Sequence, residues 1–254
     1  MKVAAVQYDI QWEDRAASHA RVRETVAKAD IKKGTLVVLP EMFDVGFSMN
    51  TAATDPGEPS VSEAFLSALA KENGVGVLAG VVARTSDGRF ANEAVCFASD
   101  GKLLSRYRKM QPFTPPGEHV HYPGGTTRTS LEWDGVKVSP FVCYDLRFPE
   151  LFRPAARNGA ELIVVVANWP DKRSEHWVRL LQARAIENQA YVIGVNRVGT
   201  DPFYTYTGRS LIVDYNGDVL ADGGGEECAI ACDLDLDSLR KYRQGLPFLA
   251  DLKL

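Results

Sequence analysis

Two short runs constrain this chain more than anything else in it. Thr35-Leu36-Val37-Val38-Leu39 and Glu161-Leu162-Ile163-Val164-Val165-Val166-Ala167 are apolar and rich in β-branched residues, with almost no polar alternation. Strands of that kind are buried on both faces, a condition met in parallel sheets whose connections are helices packed on the sheet. Each run follows a strand and a helix-prone segment and precedes another helix. The chain is therefore expected to contain two parallel, helix-covered units.

The other elements fill in around them. Lys2 to Tyr8 reads as a first strand, and a charged helix-prone segment from after Ser18 to about Lys32 is stopped by Gly34. Ser60-Val61-Ser62-Glu63 is a capping box for a helix closing at Asn73-Gly74. Val75 to Arg84, Asn92 to Ala98 and Lys102 to Tyr107 form a meander, with turns at Ser86-Asp87-Gly88 and Asp100-Gly101. Thr126 to Trp133 and Val136 to Val142 make a hairpin across Asp134-Gly135, and a helix over Pro149 to Asn158 follows. Ser174 to Gln189 carries an apolar stripe at Trp177, Leu180, Leu181, Ala185 and Ile186. Strands at Ala190 to Val195, Arg209 to Asp214, Asp218 to Ala221 and Cys228 to Leu234 precede a last helix, Asp235 to Gln244. Strand, helix, strand, helix and a run of strands occur twice in this order. The repetition favours two pseudo-symmetric sheets with helices outside over one doubly wound sheet.

Composition excludes several kinds of partner. The 254 residues are 45% hydrophobic, enough for one α/β domain, and the net charge of −4 is spread without a basic stripe. Neither a nucleic-acid nor a membrane partner is expected. The apolar part of the N-terminus is short for a signal peptide, so a cytoplasmic protein is expected. Cys96, Cys143, Cys228 and Cys232 show no disulfide framework, and a reducing compartment leaves Cys143 a free thiol.

Three residues that carry chemistry fall just beyond predicted strand ends, where α/β sheets assemble sites: Glu41, Lys109 and Cys143. Cys143 lies at a strand-to-helix junction, a position whose N–H groups and helix dipole favour thiolate. A thiolate attacks an acyl carbon, a carboxylate moves the proton, and an ammonium holds the oxyanion. Each has a plainer alternative: Cys143 as a small buried hydrophobe, Glu41 as a surface carboxylate, Lys109 as part of the basic run Arg106-Tyr107-Arg108-Lys109. The stretch Met110 to Gly125, with four prolines and three glycines, is a long aperiodic loop of the kind that is functional or disordered.

Leu39-Pro40-Glu41-Met42-Phe43, Tyr107-Arg108-Lys109 and Phe141-Val142-Cys143-Tyr144-Asp145-Leu146-Arg147-Phe148-Pro149-Glu150, in this order and spacing, resemble the nitrilase superfamily of carbon–nitrogen hydrolases. The resemblance covers nearly the whole chain. It implies a four-layer αββα sandwich with Glu41 as general base, Lys109 as oxyanion stabiliser and Cys143 as nucleophile. It further implies a supporting Glu118, in Pro116-Gly117-Glu118-His119, and an oxyanion contact from the Tyr144 N–H. Glu41-Met42-Phe43-Asp44-Val45-Gly46-Phe47-Ser48-Met49 and Asn168-Trp169-Pro170 with Arg173 and His176-Trp177 are similar to bacterial omega-amidases. So are Ala183 to Gln189 and Gly194-Val195-Asn196-Arg197. Those enzymes remove the terminal amide of 2-oxo acids such as 2-oxoglutaramate and 2-oxosuccinamate.

For such an anionic substrate Arg147 or Arg173 is a candidate carboxylate partner, unless held in a structural ion pair, and Phe47 and Trp169 are candidate pocket walls, unless they pack in the core. The scheme implies no metal or organic cofactor, and the family likeness implies a homodimer or larger homo-oligomer, with the tail from Gly245 and its exposed-looking Phe248 as a possible contact. The rivals are a carbamoyl-amine amidohydrolase or short-chain aliphatic amidase and a Cys-His hydrolase using His119, His121 or His176. A metal site at His119-Val120-His121 and a non-catalytic binder on the same fold complete the set.

Overall fold

In the computed structural model, which describes residues 1–253, the first strand already shows how the layers arise. In β1 (Lys2–Gln7), Val3 and Ala5 point into the core between two sheets, and Val6 points into a second core beneath helices. β2 (Leu36–Val38) repeats the division, with Leu36 and Val38 inward and Val37 under the helices. Both faces are buried, as the uninterrupted apolar run requires.

The first sheet continues with β3 (Gly76–Arg84), β4 (Phe90–Phe97) and β5 (Leu103–Arg108). The second half supplies β6 (Leu131–Trp133), β7 (Val136–Val142), β8 (Leu162–Val166), β9 (Tyr191–Val195), a small β10–β11 hairpin (Val198–Thr200 and Thr205–Thr207), β12 (Leu211–Val213), β13 (Val219–Asp222) and β14 (Cys228–Asp233). The sheet orders are β14-β1-β2-β3-β4-β5 and β13-β12-β9-β8-β7-β6. Read from opposite ends they correspond: β14, β1, β2, β3, β4 and β5 match β6, β7, β8, β9, β12 and β13. Every neighbouring pair has the same parallel or antiparallel sense in both sheets. The expected pseudo-symmetric pair is present.

Helices α1 (Arg15–Lys28), α2 (Thr51–Thr54), α3 (Val61–Asn73), α4 (Glu118–His121), α5 (Pro149–Arg157), α6 (Ser174–Asn188) and α7 (Leu236–Gly245) complete the chain. α1 and α3 cover one sheet through Val22, Val26, Phe65 and Leu66. α5 and α6 cover the other through Leu151, Phe152, Trp177 and Leu181. This is the expected αββα order. Among the described residues no helix is long and apolar enough to cross a membrane.

Several boundaries differ from the sequence reading for local reasons. α1 begins at Arg15 because the Asp14 carboxylate accepts the Ala17 N–H at 3.0 Å, and it stops at Lys28 ahead of a left-handed Asp30. β6 starts only at Leu131, five residues later than expected. Ile186 is 49% exposed, because α6 turns Trp177, Leu181, Arg184, Ala185 and Asn188 inward instead. In the tail, Phe248 is half-buried in a 3-10 turn, Leu246 is the exposed residue, and Leu254 lies outside the described residues.

One glycine fixes where the end of β2 lies. Residues 40–43 run beside β3 through Gly80 N–H to Pro40 O (3.0 Å) and Phe43 N–H to Gly80 O (2.9 Å). A Cβ on Gly80 would stand 2.4 Å from Glu41 Cα and 2.9 Å from Met42 N. Both are backbone atoms, so the strain has no flexible outlet. Gly80→Ala is expected to lower stability by about 1–3 kcal/mol in chemical denaturation. A change below about 0.5 kcal/mol would show that the contact is not tight.

Candidate active site

The strand directions deliver the site residues to one rim. β5 runs the same way as β2, since two antiparallel pairings separate it from β3, so Glu41 after β2 and Lys109 after β5 leave the first sheet at the same edge. In the second sheet β7, β8 and β9 are parallel and release Cys143, Asn168 and Asn196 at one edge. The two edges face each other. The Asn168 N–H donates to Glu41 Oε2 at 2.9 Å, and its side-chain amide donates to the Glu41 carbonyl at 2.6 Å.

Lys109 is the centre of the group. Its Nζ donates to Glu41 Oε1 at 2.8 Å and to both oxygens of Glu118 at 3.0 and 2.9 Å. All three side chains are at most 2% exposed. Asn92, on β4, donates to Glu41 Oε1 at 2.7 Å and to Glu118 Oε1 at 2.8 Å, and its carbonyl accepts the Lys109 N–H. The Phe113 N–H also donates to Glu118 Oε2, so the Pro- and Gly-rich loop 110–125 is tied to this charge group. The basic run divides. Arg106 and Arg108 pair with Glu93 on the other face of β4, at 2.7 and 3.0 Å, while Lys109 turns inward.

Burial works against the Lys109 ammonium, but Glu118 and Glu41 outweigh it and raise its pKa well above the ordinary value. Burial, then the charge of Glu41, raises Glu118 against the pull of Lys109. Two carboxylates share one cation.

Cys143 follows β7 directly and opens a 3-10 turn, Cys143–Arg147. Its φ of 44° is in the left-handed region, a placement costing a non-glycine residue about 1–3 kcal/mol and typical of functional sites. The sulfur keeps one side open to a cleft and stands 3.8 Å from the Asn168 carbonyl. Protein on its other sides, and next the Glu41 charge, raise its pKa well above 9.0 despite Lys109. Burial and the Glu41 charge thus push toward the thiol, against the local N–H groups from which the sequence reading expects thiolate. α5 begins only at Pro149, beyond the 3-10 turn, so no α-helix dipole ends at the sulfur. Cys96 is the packing cysteine, wholly interior and pushed up to about 12 by burial.

The other expected residues line the same cleft. Tyr144 occupies the second position of the turn, where a backbone N–H has no partner within the helix. Phe47 lies with its ring 5.2 Å from Lys109 Nζ, and Trp169 is buried with its backbone held by Asn196. Arg147 stacks over Trp169 at 4.6 Å and Arg173 over Phe113 at 5.7 Å. Among the described residues neither arginine has an acidic partner. Burial, then the like charge of Arg173, lowers the Arg147 pKa. The hairpin β10–β11 adds Tyr204 and Tyr206, which the sequence reading passed over. The histidines stand apart: His176 faces Arg147 at 3.5 Å, and His119 and His121 are exposed on α4. Among the described residues no three His, Cys, Asp or Glu side chains group as a metal site.

The profile of the carbon-nitrogen hydrolase family matches residues 2–244. The chain belongs to that family. Relatives of this carbon–nitrogen hydrolase include the 2-oxoglutaramate amidase of Bacillus subtilis strain 168, 33% identical over 99% of this chain and 97% of that one. The omega-amidase YafV of Yersinia enterocolitica is 38% identical over 99% and 96%. Among solved structures, a CN-hydrolase superfamily protein of Xanthomonas campestris with an arsenic adduct in its active site superposes with a TM-score of 0.93. It is 31% identical, over 100% of this chain and 97% of that one. The resemblance to the nitrilase superfamily read from the motifs is thereby met.

Lys109→Met would leave two buried carboxylates facing each other without a cation. Removing one partner of a buried pair costs about 3–5 kcal/mol, and urea denaturation is expected to show a loss of that size. A loss under about 1 kcal/mol would mean that the ammonium does not bind the two loops together.

Proposed function

We propose that this hydrolase is an omega-amidase: it cleaves the terminal amide of small 2-oxo dicarboxylic acid monoamides, such as 2-oxoglutaramate and 2-oxosuccinamate, to the acid and ammonia. The observation that carries the reading is the meeting of two things in one cleft. One end holds a thiol beside a sealed carboxylate–ammonium pair, Glu41 and Lys109 at 2.8 Å. The other holds two guanidinium groups, Arg147 and Arg173, without acidic partners among the described residues. Relatives named 2-oxoglutaramate amidase and omega-amidase support the same substrate class.

The chemistry follows from how these groups are arranged. Because burial and the Glu41 charge favour the Cys143 thiol, attack on the amide carbon is coupled to transfer of its proton to Glu41, which is held by Asn92, Asn168 and Lys109. Charge then develops on the amide oxygen, where Lys109 Nζ and the Tyr144 N–H stabilise it. Glu118 holds Lys109 in place. Glu41 returns the proton to the departing nitrogen, ammonia leaves, and a Cys143 thioester remains. Water, deprotonated by Glu41, adds to the thioester; collapse releases the acid and the proton goes back to sulfur. The substrate carboxylate rests against Arg147 or Arg173, with Phe47 and Trp169 as walls. No metal or organic cofactor enters this scheme. The reading extends to a cytoplasmic homo-oligomer, for which the half-exposed Ile186 on α6 is an available apolar contact.

Ammonia release from 2-oxoglutaramate, an N-carbamoyl amine and a simple aliphatic amide tests the proposal. The expected order places 2-oxoglutaramate first by at least about 10-fold in kcat/KM, the size of a charged hydrogen bond, and Arg147→Gln or Arg173→Gln should erase that advantage by raising KM. Cys143→Ala should lose at least about 10³-fold in kcat. Preference for the aliphatic amide, with both arginine variants unchanged, would favour a simple amidase instead.

A further inference from the structure

The triad atoms sit on loops from different sheets, and something must hold the cysteine turn against the lysine strand. Tyr107 and Gln111 lie two residues before and after Lys109, and Val142 lies directly before Cys143. All three donate to one carboxylate. Asp145, fully buried in the turn after Cys143, accepts at Oδ2 from the Tyr107 hydroxyl (2.8 Å) and the Val142 N–H (3.0 Å), and at Oδ1 from the Gln111 N–H (2.9 Å). The Tyr107 ring also packs edge-on against Phe141, 5.6 Å away.

We propose that Asp145 is a positioning residue for the amidase reaction, fixing Lys109 relative to the Cys143 sulfur by tying the Tyr107 hydroxyl and the Gln111 N–H, on either side of the lysine, to the residue before the cysteine. The inference rests on the amidase reading for its kinetic consequences. Asp145 is 0% exposed and does not line the cleft, so it acts only through the groups it holds. Its value lies in being an acceptor on every side. An ionised carboxylate takes three donors at once, whereas an amide in its place turns an NH₂ toward at least one of them. The clamp also works against the strain at Cys143, whose left-handed φ would relax if the preceding N–H were released. Burial lifts the Asp145 carboxyl to about 6 against the donors that lower it, so at pH 8 the group is ionised and the clamp complete.

The test compares native protein, Asp145→Asn and Tyr107→Phe at pH 8, each first checked by thermal melting. Misplacing a reacting group by an ångström costs on the order of 10²-fold, so Asp145→Asn is expected to lose about 10- to 100-fold in kcat with KM within about threefold of native. Tyr107→Phe keeps the charge and two of the three donors, and is expected to lose several-fold in kcat at unchanged KM. If Asp145→Asn does not fold, Tyr107→Phe decides alone. A folded variant of either kind with kcat within about twofold of native overturns the proposal. A second readout does not depend on the substrate: iodoacetamide alkylation of Cys143, followed on its own peptide by mass spectrometry. Tyr107→Phe should slow it at least about threefold, because Lys109 is then less well placed to favour the thiolate; an unchanged rate overturns the proposal. Native protein that hydrolyses none of the amides defeats the functional reading but leaves this alkylation test standing.

Discussion

The Lys109 ammonium, held between Glu41 and Glu118 where water has almost no access, is the constraint that the rest of the site answers to. Ions in such a place lose several kcal/mol of hydration each, and the loss is tolerable only where every polar atom finds a partner. For the carboxylate oxygens the partners are complete, while the side-chain oxygens of Asn92 and Asn168 have none among the described residues. Both oxygens of Glu41 and both of Glu118 accept hydrogen bonds, from Lys109, Asn92, the Asn168 N–H and the Phe113 N–H. The same arrangement that keeps the charges folded also fixes them in advance of any substrate, so that charge developing on an amide oxygen meets an oriented cation without reorganisation.

The pseudo-symmetry of the two sheets explains how such a group assembles. β2 and β8 occupy equivalent positions, and the segments that follow them, at Glu41 and Asn168, touch each other directly. The chemistry is not symmetric. The first sheet contributes the charges and the second contributes the sulfur and the hydrogen-bond donors that hold Glu41 across the gap. Gly80 lets the Glu41 segment lie against β3, and Asp145 ties β5 to the end of β7. Both act on distances rather than on the reaction itself.

Much of this was legible in the sequence because it is local. Uninterrupted apolar runs mark doubly buried strands, and residues just after them mark the rim where Glu41, Lys109 and Cys143 gather. What escaped depends on partners distant along the chain. Asn92 is a polar residue inside a strand, and nothing near it shows that its amide will bridge two glutamates reached through other loops. Asn168 was visible as part of a motif, but its grip on Glu41 spans 127 positions. The β10–β11 hairpin, two three-residue strands interrupted by Gly199 and Pro202, is too short to read as strands, yet it walls the cleft with Tyr204 and Tyr206. At Cys143 a dipole argument weighs one local feature, whereas burial and the Glu41 charge, both set by residues distant along the chain, push toward the thiol.

The central claim is that the Cys143 sulfur becomes acylated when the amide nitrogen leaves. Acid quenching of the protein within milliseconds of mixing with 2-oxoglutaramate, followed by peptide mass spectrometry, examines that step directly. The account predicts an acyl group, the substrate less ammonia, on the Cys143 peptide of the native protein and none on Cys143→Ala. Ammonia release at full rate with every cysteine peptide unmodified, or with Cys143→Ala still turning over, would contradict it.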